Sequence, residues 1–188
     1  MPETLKNPYV GAKSFTENEQ KYFFGRDQES SQLASQLIAY QEVLFYAESG
    51  AGKTSLLQAK VIPYLRSSKI EIVVLPKVRV GGDLPPGVDP QEVSNFYIFN
   101  LLYSLGGKDT DPKTLVDRPL DEGLRPYLFQ DDDEDQPHPF LLIIDQFEEL
   151  FTNYPAEHKQ REALFIQLRK CLRNFPQLGI LLVRLEPR

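Results

Sequence analysis

The chain has 188 residues, of which 41% are apolar and 26% charged, the mix of an ordinary globular domain with a real core. A formal net charge of -6 argues against a protein that coats nucleic acid, so no direct nucleic-acid binding is expected. One cysteine, Cys171, excludes an internal disulfide framework and a thiolate zinc site, and fits a reducing compartment. No apolar run approaches the roughly 20 residues that span a bilayer, and the first residues lack a signal-peptide pattern. The expectation is a cytoplasmic protein with no membrane partner.

Residues 1–24 mix Pro8, Gly11 and several aromatics and read as an extended arm, ending in a turn at Gly25. Helical spacing of Leu33, Leu37 and Ile38 predicts a helix over 27–40, followed by a short apolar strand over 42–46. Leu56, Leu57, Val61 and Leu65 share one side of a helix over 53–65. The β-branched stretch 70–80 reads as a strand, and 81–90, with its glycines and prolines, as turns. An aromatic helix is expected over 91–105, in which Phe96, Tyr97, Phe99 and Tyr103 belong mainly to the core, and a short helix over 120–129. The acidic run 131–135 reads as a solvated loop. Residues 140–144 form an unbroken apolar strand, as in a parallel sheet covered on both faces, then a helix spans 156–175 and a last buried strand 179–183. The alternation of strands and helices predicts an α/β fold: a three-layer α/β/α sandwich with a mostly parallel central sheet.

The sharpest feature is Ala47-Glu48-Ser49-Gly50-Ala51-Gly52-Lys53-Thr54, between a strand and a helix, which is the setting a phosphate loop requires. Gly50 and Gly52 permit the backbone conformations that turn consecutive N–H groups inward as an anion nest. The helix that starts there adds its free N–H groups and its dipole. Lys53 is placed to reach the β- and γ-phosphates, and the Thr54 hydroxyl to ligate Mg²⁺. Ala47 stands where the strict pattern has glycine.

The second feature is Phe140-Leu141-Leu142-Ile143-Ile144-Asp145-Gln146-Phe147-Glu148-Glu149-Leu150. A buried strand ending in Asp145 brings a carboxylate to the edge of a parallel sheet where ligands bind. Asp145 can hold Mg²⁺ opposite Thr54, and Glu148 or Glu149 can orient or deprotonate an attacking water. Arg184 follows the buried run Ile180–Val183, where a cation could reach a γ-phosphate. Neither His138 nor His158 has metal-ligand spacing.

These segments together resemble the novel STAND NTPase family, signal-transduction ATPases related to the NACHT and apoptotic ATPases. The resemblance is carried by Asn7-Pro8-Tyr9-Val10-Gly11 through Phe15, by Tyr22-Phe23-Phe24-Gly25-Arg26-Asp27-Gln28-Glu29, by Glu48 to Leu57, by Ile144-Asp145-Gln146-Phe147-Glu148-Glu149-Leu150-Phe151, and by Leu182-Val183-Arg184. It implies an ATP-dependent switch in which ATP holds an assembled state and hydrolysis resets it. Gly25, Arg26, Ser49, Gly50, Ala51, Gly52, Lys53, Thr54 and Ser55 would bind the nucleotide, with Gly25 and Arg26 near the adenine and phosphates. Thr54 and Asp145 would hold Mg²⁺, and Glu148, Glu149 and Arg184 would serve catalysis.

The resemblance divides the chain into an arm, 1–26, and a P-loop core, 27–188. The lid, sensor and effector regions of relatives lie outside these residues and, with self-association, are the expected partners. The reading is a switch domain that binds and slowly hydrolyses ATP. A module that binds ATP with negligible hydrolysis is the alternative, because Gln146 follows Asp145 where many ATPases carry an acid. A small P-loop kinase would need clustered arginines in a lid, and Lys108, Lys113, Arg118 and Arg125 are scattered. An Asn-Lys-x-Asp motif that reads guanine is absent, which leans toward adenine.

Overall fold

The computed structural model describes residues 13–68, 70–129, 138–152 and 157–186, and all that follows concerns these. Residues 1–12 of the arm and the whole acidic run, 131–135, lie outside them. A single sheet organises the chain. Its strands are β1 (Glu42–Ala47), β2 (Val73–Val74), β3 (Val78–Arg79), β4 (Phe140–Asp145) and β5 (Leu178–Leu185). Their spatial order is β1-β5-β4-β2, with β3 also on β4, and every pairing is parallel. β5, last in sequence, therefore lies between β1 and β4.

Parallel strands joined by helices bury both faces, and the side chains of β4 and β5 show it by alternation. Leu142, Ile144, Leu178 and Ile180 point into one core, with α4 (Phe96–Gly106), α5 (Leu120–Leu128), the short α6 (Glu149–Thr152) and α7 (His158–Asn174). Leu141, Ile143, Leu181 and Val183 point into the other. That second core is closed by α1 (Asp27–Ala39) and by the helical run behind the phosphate loop: α2 (Lys53–Leu56), a π turn (Leu57–Val61) and α3 (Ile62–Ser67). The expected three-layer α/β/α sandwich is the observed fold. Each such side chain contributes about 1.5–3 kcal/mol on leaving water, so these two clusters are the main source of stability.

The structure corrects several expected boundaries. The strand expected over 70–80 is two short ones, because Pro76 has no N–H to donate to the β4 ladder. Leu75 N–H still bonds Leu141 O at 2.9 Å, and pairing resumes at Val78. The aromatic helix starts at Phe96 and not near 91. Buried Asn95 caps it, its side chain accepting from the N–H groups of Tyr97 and Ile98 at 3.0 and 3.1 Å. The helix after the phosphate loop contains a π turn directly ahead of Pro63, whose ring would strike the Ala59 carbonyl in a regular α-helix. A 3-10 turn, Glu17–Tyr22, interrupts the arm. Ile38 faces outward at the end of α1, 41% exposed.

Other readings stand. Leu56, Leu57, Val61 and Leu65 are all buried, as are Tyr97, Phe99 and Cys171. Among the described residues β1 is an edge strand, and it is covered on one face only. Leu44 and Tyr46 stay half exposed beside a groove of about 730 Å³ that Phe165 and Ile166 of α7 also border.

Helix α5 packs against α4 through Gly123. A Cβ at Gly123 would lie 2.3 Å from Leu102 Cδ2 and 3.0 Å from its Cγ, and Leu102 is itself buried in α4. In an exposed helix Gly→Ala stabilises by about 1 kcal/mol, whereas overpacking a core costs about 1–3 kcal/mol. Gly123→Ala is therefore expected to destabilise the protein by about 1 kcal/mol in urea unfolding, reversing the usual sign. A gain in stability would mean that the α4–α5 contact yields.

Candidate functional site

The parallel register brings the ends of β1, β5, β4 and β3 to one edge. Tyr46 pairs with Arg184, Ala47 with Leu185, Ile144 with Leu182, and Arg79 with Asp145. Everything in the site hangs from that edge. The ladder continues past β4 through Phe147 N–H, which bonds Val183 O at 2.8 Å. Gln146 adopts φ +53 to allow that turn, and its N–H donates to Asp145 Oδ1 at 3.0 Å.

The loop from β1 to α2 has the conformation that its glycines permit. Gly50 and Gly52 sit at φ +79 and +76, where a side chain would be strained. Ala51 N–H closes the turn on Glu48 O at 3.3 Å, and Leu56 N–H bonds Gly52 O at 2.8 Å as the helix begins. Lys53 folds back over the loop, its Nζ donating to Ala47 O at 2.8 Å and Glu48 O at 2.9 Å. Arg26 holds the loop from outside the cavity. Its Nη1 donates to Ala51 O at 2.9 Å, and its Nε lies 2.9 Å from Glu29 Oε1. The neighbouring Gly25 has φ +79, which turns the chain into α1.

A cavity of about 690 Å³ opens along this edge, within the usual range for small-molecule sites. Ser49, Gly50, Gly52, Lys53, Thr54 and Ser55 form its floor. Asp145, Glu148 and Arg184 line it too, as do Lys13, Phe15 and Phe23. The two phenyl rings are tilted with centroids 5.4 Å apart. Ser55 joins the arm to the loop helix, its Oγ accepting from Phe15 N–H at 3.1 Å. A rigid glycine cradle, an ammonium, a hydroxyl and a carboxylate around one space form a donor set that fits a phosphate chain with a hard divalent ion.

Of the residues singled out from sequence, most converge on this cavity. Gly25, Arg26 and Ala51 do not line it; they shape the loop from behind. The two glutamates separate. Glu148 lines the cavity and accepts from Leu185 N–H at 3.0 Å. Glu149 turns away and is gripped by Arg79 through Nη2 and Nε. Asp145 is also ion-paired, its Oδ2 lying 2.7 Å from Lys77 Nζ. Sequence reasoning missed Lys77 and Arg79. Their signal was two cations two residues apart around an apolar residue at the end of a strand, which puts both on one face. Arg184 is held near Phe151, its guanidinium carbon 6.0 Å from the ring centroid.

Away from the cavity, Cys171 is fully buried in α7. Burial, helped by the charge of Asp121, pushes its thiol up to about 12, so it is no nucleophile. Among the described residues no helix is long and apolar enough to cross a membrane.

No curated protein matches the chain. Residues 8–184 match the family profile of Novel STAND NTPase 1, which covers nearly the whole sequence and both loop and carboxylate segments. This chain belongs to the Novel STAND NTPase 1 family and carries its nucleotide-binding NTPase module.

Proposed function

We propose that the chain binds ATP with Mg²⁺ in the 690 Å³ cavity and hydrolyses it slowly, as the switch of a STAND-type signal-transduction or defence ATPase. The observation that carries this reading is the meeting of the glycine loop, Lys53, Thr54, Asp145 and Glu148 on one cavity at the sheet edge. In this reading Lys53 leaves the carbonyls of Ala47 and Glu48 for the terminal phosphates, a stronger charge-assisted interaction. The backbone from Ser49 to Ser55 cradles the phosphate chain. Thr54 and Asp145 are the residues that would hold Mg²⁺, a hard ion suited to oxygen ligands. Bound there, the ion would neutralise charge on the phosphates.

Glu148 is the better candidate for orienting the attacking water, because it faces the cavity while Glu149 is engaged by Arg79. In this reading Arg184, which also lines the cavity, meets the γ-phosphate. Phe15 and Phe23, two aromatic residues that line the same cavity, support adenine binding by the arm. The division into an arm over 1–26 and a core over 27–188 is supported by the contacts that lay the arm on the loop helix, Phe15 to Ser55 and Glu17 to Arg66. Sensor and effector regions, or further copies of the chain, would be the partners that read the nucleotide state.

Negligible hydrolysis is the second reading, favoured by one observation: Glu148 already accepts a backbone hydrogen bond and Glu149 an arginine. Replacing each glutamate separates the two readings. Glu148→Gln is expected to lower steady-state ATP turnover by about 100-fold or more, the scale of a lost general base, with nucleotide affinity nearly unchanged. Glu149→Gln is expected to change turnover by less than about threefold, as suits a residue outside the reacting centre. Equal turnover in wild type and Glu148→Gln would favour the binding module.

Lys53→Ala tests the site itself. Among the described residues its ammonium hydrogen-bonds two loop carbonyls, so the fold is expected to survive, with an unchanged melting temperature. Affinity for a labelled ATP analogue is expected to fall at least about tenfold, the worth of a charge-assisted hydrogen bond. A folded variant with normal affinity would overturn the nucleotide reading.

A further inference from the structure

The short strand β3 delivers two cations to the acids at the edge of β4. Val78 is fully buried and faces one core, so Lys77 and Arg79, on either side of it, face the other way together. That is the face of Asp145, since Ile144 shares Val78's core and Ile143 belongs to the opposite one. The pairing of Arg79 with Asp145 sets the register, and Pro76 limits how the chain enters it. Lys77 then reaches Asp145 Oδ2 at 2.7 Å, while Oδ1 takes the Gln146 N–H at 3.0 Å. Both oxygens of this carboxylate are engaged within the chain, and its charge is matched by an ammonium.

Resting on the reading of Asp145 as a Mg²⁺ partner, we propose that Lys77 is a positioning residue that competes with the divalent ion for Asp145 and so sets the Mg²⁺ concentration at which nucleotide binds. Asp145 is mostly buried, and an unmatched carboxylate there would be costly. Lys77 compensates it while the site is empty. It also keeps the carboxylate aimed at the sheet edge. Lys77 is more exposed than Asp145, on a long flexible stem, so it can swing into water and give the oxygen up. Released or merely displaced, its positive charge opposes a second cation nearby. Lys77 thereby makes a filled metal position conditional on the phosphates that arrive with it.

The test is a Mg²⁺ titration of binding, not of turnover. A labelled, non-hydrolysable ATP analogue is held with the intact chain in EDTA, and free Mg²⁺ is raised while anisotropy is read. Lys77→Gln is expected to lower the half-saturating Mg²⁺ by about two- to fivefold, the scale of a half-exposed ion pair. Lys77→Arg, which keeps the charge, is expected to stay near wild type. Lys60→Gln removes the same charge from the pair with Asp27, away from the cavity, and is expected to change nothing. The gap between wild type and Lys77→Gln should narrow as NaCl is raised, because exposed charges are screened. An unchanged or raised half-saturation in Lys77→Gln, with the wild type binding normally, would overturn the proposal. So would an equal drop in Lys60→Gln, which would make the effect one of net charge. Failure of the wild type to bind the analogue at any Mg²⁺ would instead overturn the nucleotide reading.

Discussion

The backbone ladder on both sides of β5 is the constraint on which the rest depends. One strand bonds in parallel to β1, which ends in the glycine loop, and to β4, which ends in Asp145. Its own end carries Arg184, and its last N–H, at Leu185, reaches Glu148. Hydrogen bonds worth about 1 kcal/mol each thus align four chemical groups from distant parts of the chain along one edge. The ladder is held in register by what lies above and below it. Alternate residues of β4 and β5 enter separate cores, and a slip of one residue would exchange the two sets. Register is therefore strongly specified, and with it the site.

The charged groups at that edge are satisfied within the chain without being locked. Lys53 rests on two loop carbonyls, Lys77 on Asp145, and Arg79 on Glu149. Half-exposed pairs of this kind contribute at most about 1 kcal/mol each. A ligand with several phosphate oxygens offers stronger charge-assisted bonds, so the network can be exchanged at low cost. The stability of the fold lies elsewhere, in the two apolar clusters. This separation leaves the edge free to change partners while the sheet stays rigid. Arg26 belongs on the rigid side of that division, because it fastens the outside of the loop to the start of α1.

Much was legible from residue order alone. The glycine loop between a strand and a helix, the apolar run ending in Asp145, and the alternation of elements come from local propensity and periodicity, which neighbours along the chain decide. The same local signals explain the burial of Leu56, Leu57, Val61 and Leu65. Reading 70–80 as one strand failed where the local β-branched signal outweighed Pro76, whose effect is felt only when a partner strand needs its missing N–H. The late start of the aromatic helix, at Phe96, follows from Asn95 capping it while held by Gln160 of α7, 65 residues away.

What the sequence by itself determined is the chemistry available: a phosphate-type loop, a lysine, a hydroxyl, an aspartate after an apolar strand, and two adjacent glutamates. Tertiary structure alone decided which of these meet. It put β5 between β1 and β4, so Arg184 joined the cavity wall. It turned Glu148 toward the cavity and gave Glu149 to Arg79. It also brought Lys77 to Asp145, a pairing of residues 68 positions apart that no spacing in the chain announces. The reason is physical: local interactions choose strand or helix, but the order and register of strands come from burying both faces of one sheet, and that is a property of the whole chain.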